Sequence, residues 1–203
     1  MQPMSSFARR RFIWTLYRGI MVLAVAGGVW FSFGLAFWRP VPPRLTWAVP
    51  VAAFLLLLMY ALRLRSKAEG FTLAKSLSDG GPLEREHALT VMRQFKWVFI
   101  GEIVLCCLSD VVCYETHHLE LLMPGIGLVV SLHFLPLGRM FRVPTYYATG
   151  IAGTIVSLVA ILMPRAPLRL SVDGVGLGLV LWSSAVYLLW RADVVATSAV
   201  MEG

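Results

Sequence analysis

Two ionisable residues stand inside apolar sequence where their types could do chemistry together. Glu102 lies in the run that begins at Trp97, and His133 in the run that ends at Leu137. A carboxylate facing an imidazole can share a proton or hold a cation, because each group's charge state depends on the other's. In lipid such groups are costly, about 2.5–3.5 kcal/mol for Asp, Lys or Arg at a span's centre on insertion scales, so they face protein or water. The stretch Ser131–Gly150 (SLHFLPLGRMFRVPTYYATG) adds Arg139 and Arg142, then Thr145, Tyr146, Tyr147 and Thr149. These residue types predict a polar pocket opening to the cytoplasm. Glu102, His133, Tyr146 and Tyr147 would bind substrate or ion there, with Arg139 at the mouth. Asp110, two turns beyond Glu102, is placed on the outer half of a path or as the cap of a backbone break. The competing reading of Glu102 and His133 is an interhelical contact that fixes packing.

Other constellations are weaker. Cys113, Glu115, His117, His118 and Glu120 crowd one short polar segment, and His with carboxylate can hold zinc or copper. Adjacent His117 and His118 lack the i,i+4 spacing of a helical ligand pair, so with Glu115 they form only a faint metal candidate beside a plain solvated turn. Asp173 opens DGVGLG, which imitates a nucleotide fingerprint, but no strand precedes it. Asp173 is expected to cap the start of the last helix, where a carboxylate favours the N-terminal dipole. Gly174 and Gly178 form a small-xxx-small face, and Gly27, Gly28, Gly150 and Gly153 are expected to serve similarly. No GxSxG, SxxK, HExxH or CxxC is present, so no catalytic residue is assigned and no cofactor is expected. Three cysteines make no disulfide framework and read as small hydrophobes.

The elements that must position these groups are membrane helices. The 203 residues are 58% apolar and 14% charged, against about 45–50% and about 25% in soluble domains; the mean hydropathy is +0.74. Apolar runs predict six transmembrane helices over about 20–38, 45–64, 97–114, 121–137, 145–163 and 170–190, in a single membrane domain covering 1–203. Residues 1–19 form a basic, aromatic segment suited to the headgroup level. The run after it exceeds a signal-peptide core and has no small-x-small end, so it is read as a retained span. Residues 65–96 form the one long connection; Ser78–Pro82 is turn chemistry, and Leu83, His87 and Val91 predict an amphipathic surface helix.

Of 18 lysines and arginines, four (Arg39, Arg44, Arg165 and Arg169) fall in turns on one side and the other 14 on the opposite side. The positive-inside rule therefore puts both termini in the cytoplasm of a bacterial inner, or plasma, membrane. The net charge of +7 is explained by that bias and not by nucleic acid. The lipid bilayer is the expected partner, with a second copy or another membrane protein left open. A partial echo between the second and sixth spans (Tyr60, Leu62, Arg63 and Tyr187, Leu189, Arg191) fits either duplication or shared topology.

His133-Phe134-Leu135-Pro136-Leu137-x-Arg139-x-Phe141, with Pro144-x-Tyr146-Tyr147-x-Thr149-Gly150, resembles a group of small bacterial polytopic membrane proteins with no known activity. The resemblance covers some twenty residues and implies a membrane protein without implying a mechanism. Three function classes remain. A small-solute or ion permease, or a channel-like protein, would use the Glu102–His133 site. A non-transporting accessory or sensor would act through the cytoplasmic loop. An intramembrane enzyme would need Glu102, His133 and Tyr146 around a lipid-accessible cleft.

Overall fold

A computed structural model describes residues 6–38, 42–66 and 82–198. Within them the chain is all-α, with six helices and one 3-10 turn. We number the helices α1 (Ser6–Ala36), α2 (Pro43–Ser66), α3 (Pro82–Glu115), α4 (Leu122–Phe141), α5 (Pro144–Ile161) and α6 (Ala166–Ser198); the 3-10 turn is Leu119–Leu121. Five stretches are long and apolar enough to cross a membrane: Leu16–Ala36, Leu89–Glu115, Leu119–Phe141, Pro144–Ile161 and Ala166–Val194. In α2 the apolar part, Trp47–Arg63, is shorter. The protein is thus an integral, multi-pass membrane protein.

The helices run past the apolar segments that predict them. α1 starts inside the basic N-terminal segment, and α3 carries the expected 83–93 surface helix and the third span as one rod. The rest of the connection, residues 67–81, lies outside the described residues, as do residues 39–41 and the first five. Backbone hydrogen bonds satisfied within the helix explain why these rods persist in lipid. Pro136 does not end α4, which continues to Phe141. The stop comes at Arg142, in the left-handed conformation (φ 53°), whose N–H donates to Gly138 O. Val143 is extended, as the residue before a proline must be, and Pro144 opens α5.

The helices lie in the contact order α2, α1, α6, α5, α4, α3. The most extensive seam joins α1 to α6, and glycine makes it. A Cβ on Gly174 would come within 2.5 Å of Gly34 Cα, and one on Gly178 within 2.6 Å of Phe31 Cβ. Gly27 admits the Trp182 ring, whose Nε1–H donates to Ala24 O at 3.2 Å. Lipid removes most of the hydrophobic drive between helices, so such close approach supplies the dispersion contacts instead. Gly28, expected to share this role, faces open space, whereas Gly34, hidden in an aromatic run, takes it.

α5 buries a face of small and hydroxyl residues at helical spacing: Thr145, Tyr146, Thr149, Gly150, Gly153, Ser157 and Ala160. Leu16, Ile20 and Leu23 of α1 meet Phe134 and Leu137 of α4 and Leu181 and Leu188 of α6 in the hydrophobic core. α3 packs on α4 and the 3-10 turn and on no other element to a comparable extent. Its Trp97, Val104, Leu108 and Val111 are exposed, the arrangement of a helix bathed in lipid.

Candidate functional site

Glu102 and His133 are brought together by a tight reversal. α3 ends at Glu115, and His117 takes a left-handed conformation (φ 58°). His118 N–H then donates to Cys113 O at 2.9 Å. Two antiparallel helices joined this closely keep register. Glu102 sits about 9 Å in from Lys96, and His133 about 12 Å in from Phe141, at 1.5 Å per residue. Their side chains meet with His133 Nδ1 3.3 Å from Glu102 Oε1, at 19% and 17% exposure. The contact is close without being aligned as a hydrogen bond. An ion pair or a shared proton is what this arrangement can hold, at a depth where either partner alone would be costly.

The remaining expected residues do not join the pair in an open pocket. Tyr146 is buried between Phe134 (ring centroids 5.9 Å apart) and Phe141 (6.2 Å), and its hydroxyl presses against Gly19 of α1. It therefore fills the space in which a pocket was expected. Tyr147 is half-exposed and lays its ring on Gly138. Arg139 is exposed in the last turn of α4, and Asp110 is exposed on α3, away from Glu102. A gap lined by Trp30, Ser131, Phe134, Thr149, Gly153 and Leu177 is too tight to hold a water molecule.

At the end of the bundle that carries the α3–α4 reversal, Glu120 accepts from His118 Nδ1 at 3.1 Å and faces Arg169 of α6 at 3.8 Å. No group of three or more metal-capable side chains forms among the described residues, and His117 is occupied as the turn residue. If the His118–Glu120–Arg169 clamp orders this turn, amide exchange over 116–121 at one fixed pH should be faster in Glu120→Gln than in the wild type; equal rates in both proteins would refute the clamp.

A second polar cluster was not foreseen. Asp173 does not cap α6: that helix starts at Ala166, with Pro167 in its first turn, where proline is tolerated. Asp173 consequently lies two turns deep, with 0% exposure. Its Oδ1 accepts from Ser157 Oγ at 2.9 Å. Nearby along the same interhelical seam, Ser131 donates to Gly127 O at 2.7 Å, and Thr149 and Ser184 hydroxyls bond at 2.6 Å. The sequence signal was available in the four-residue recurrence of Thr145, Thr149, Gly153 and Ser157.

Comparison with family models, curated proteins and solved structures finds no match for this chain.

Proposed function

We propose that the protein is a six-span membrane protein of a bacterial inner membrane, with both termini cytoplasmic and all of 1–203 in one domain. In this reading it is a small-solute or ion permease, or a channel-like protein, whose Glu102–His133 pair is the ion- or proton-responsive site. The observation that supports it is the 3.3 Å approach of these two groups inside apolar helices. α2 spans despite its short apolar part, since about 17 residues is the lower limit for a crossing, with Arg63 and Arg65 in its last turn on the cytoplasmic side. Asp110 and Arg139 then mark the two approaches to the pair, and Tyr146 is the ring that must move for a path to open.

Thermal unfolding of the purified protein against inorganic ions and small solutes tests this, at about pH 5.5 and about pH 7.5, either side of histidine's ordinary value of about 6.5. A ligand at a hundred times its dissociation constant adds about 2.7 kcal/mol. Stabilisation that disappears in Glu102→Gln is the expected result. Flux through Glu102→Gln vesicles with unchanged pH dependence would overturn the mechanism.

One observation favours a second reading, a non-transporting accessory or sensor: the gap beside Ser131 and Thr149 is too tight for water, while α3 leaves Leu89 and Met92 exposed near its basic end. A stoichiometric co-purifying protein lost on Leu89→Ser/Met92→Ser would support that reading over transport.

A further inference from the structure

Asp173 is the most deeply enclosed ionisable group in the described chain, and neither reading above uses it. It is fully buried where α4, α5 and α6 converge. One protein donor meets it, the Ser157 hydroxyl on Oδ1 at 2.9 Å, and Oδ2 meets none among the described residues. α4 comes so close that a Cβ on Gly127 would lie 2.9 Å from Oδ1 and 2.8 Å from Ser157 Oγ.

Among the described residues no cation pairs with the carboxyl group. Arg169, one turn toward the helix start on the same face, is engaged elsewhere: its NH2 donates to Met163 O at 2.8 Å and its NH1 faces Glu120. α4 presents Gly127 and Ser131, α5 presents Ser157, and α1 presents Gly34 beside Gly174; none of these titrates. An ionised carboxylate with one neutral hydrogen bond in so closely packed a junction is far from compensated. A metal ion would need several further oxygens and room for them, and the packing provides neither. A proton needs only the free oxygen.

We propose that Asp173 is an intramembrane proton-binding site, separate from the Glu102–His133 pair, that carries one proton on Oδ2. Binding forms the Oδ2–H bond with a proton from water at the Glu120 end of the bundle and leaves a neutral carboxylic acid. Release returns that proton to water and restores the carboxylate; no other bond changes. The neutral acid lets α4, α5 and α6 close to the spacing that Gly127 and Gly153 permit. The carboxylate must draw water or a donor into that junction and loosen it. The site stands whether or not the permease reading holds.

Infrared difference spectroscopy on the full-length protein in lipid nanodiscs, titrated between about pH 5 and about pH 8, tests this. A carboxylic-acid carbonyl band is expected that fades as pH rises, persists in Glu102→Gln and is absent in Asp173→Asn. Ser157→Ala, which removes the donor that steadies the anion, shifts the fading to higher pH. The folded chain would hold a proton that the unfolded chain has lost, so wild-type melting temperature falls as pH rises. Asp173→Asn keeps the shape, cannot ionise, and loses that dependence. No band sensitive to Asp173→Asn, or identical pH dependence of melting in both proteins, would overturn the proposal. Should Asp173→Asn fail to fold, an unmoved band in Ser157→Ala would do so.

Discussion

Leucine in place of Gly174 is expected to separate α1 from α6 and leave little folded protein. The added side chain would begin 2.5 Å from both Gly34 Cα and Gly34 N and 2.8 Å from Trp30 O. Those are backbone atoms of a rigid helix, and no rotamer change can move them aside. Overpacking costs typically about 1–3 kcal/mol where side chains yield; here about 3 kcal/mol or more is expected. That is a large share of a total stability of about 5–15 kcal/mol. Gly28→Leu is the control: α1, the other helix of the seam, gains the same side chain, but nothing lies within 4 Å of its Cβ. Its cost should stay within about 0.5 kcal/mol. Unfolding midpoints and size-exclusion profiles in one detergent read both; equal damage would refute glycine-mediated packing as the basis of the seam.

The second large effect is a non-additive one. Glu102→Leu leaves His133 enclosed without its partner, and His133→Leu does the same to Glu102. Each should cost about 1–3 kcal/mol, below the about 3–5 kcal/mol of a fully buried pair, because both side chains keep some exposure. Double-mutant cycles between membrane helices reach about 1.7 kcal/mol for hydrogen bonds. The double leucine variant should therefore recover about 1 kcal/mol or more relative to the sum of the singles. Strict additivity would show that the two groups act independently despite their 3.3 Å separation. The cycle measures the contact alone, and the binding assay tests whether the contact is a site.

The Glu102–His133 contact is legible in the sequence because it needs only depth arithmetic. Two antiparallel helices with a short connection share a level, and a constant rise per residue converts sequence position into height. Rotation about each axis does not follow from that arithmetic, so Tyr146 reads as a pocket wall in sequence and packs as core filling in space. Asp173 was misread for a related reason: placing the helix start at Leu170 instead of Ala166 moves it from the rim to two turns within. Pro164 and Pro167 stand just before Leu170, where they look like helix breakers, although the first turn of a helix accepts proline. The α1–α6 seam was half legible. Gly174 and Gly178 carry a recognisable spacing, but their counterpart Gly34 sits among aromatic residues that give no hint of a backbone contact. The all-α, multi-pass architecture follows from apolar length, a property that survives every error in register.

The strongest seam joins the first described helix to the last, which sets a timetable for biosynthesis. At about 5–20 residues per second, α6 leaves the ribosome on the order of 10 s after α1. During that interval the glycine face of α1 has α2 and lipid for company, and its closest-fitting partner does not yet exist. The nascent chain must hold α1 in a provisional pairing until α6 arrives. A chain stalled before Ala166 would leave that face without the helix that fits it most closely.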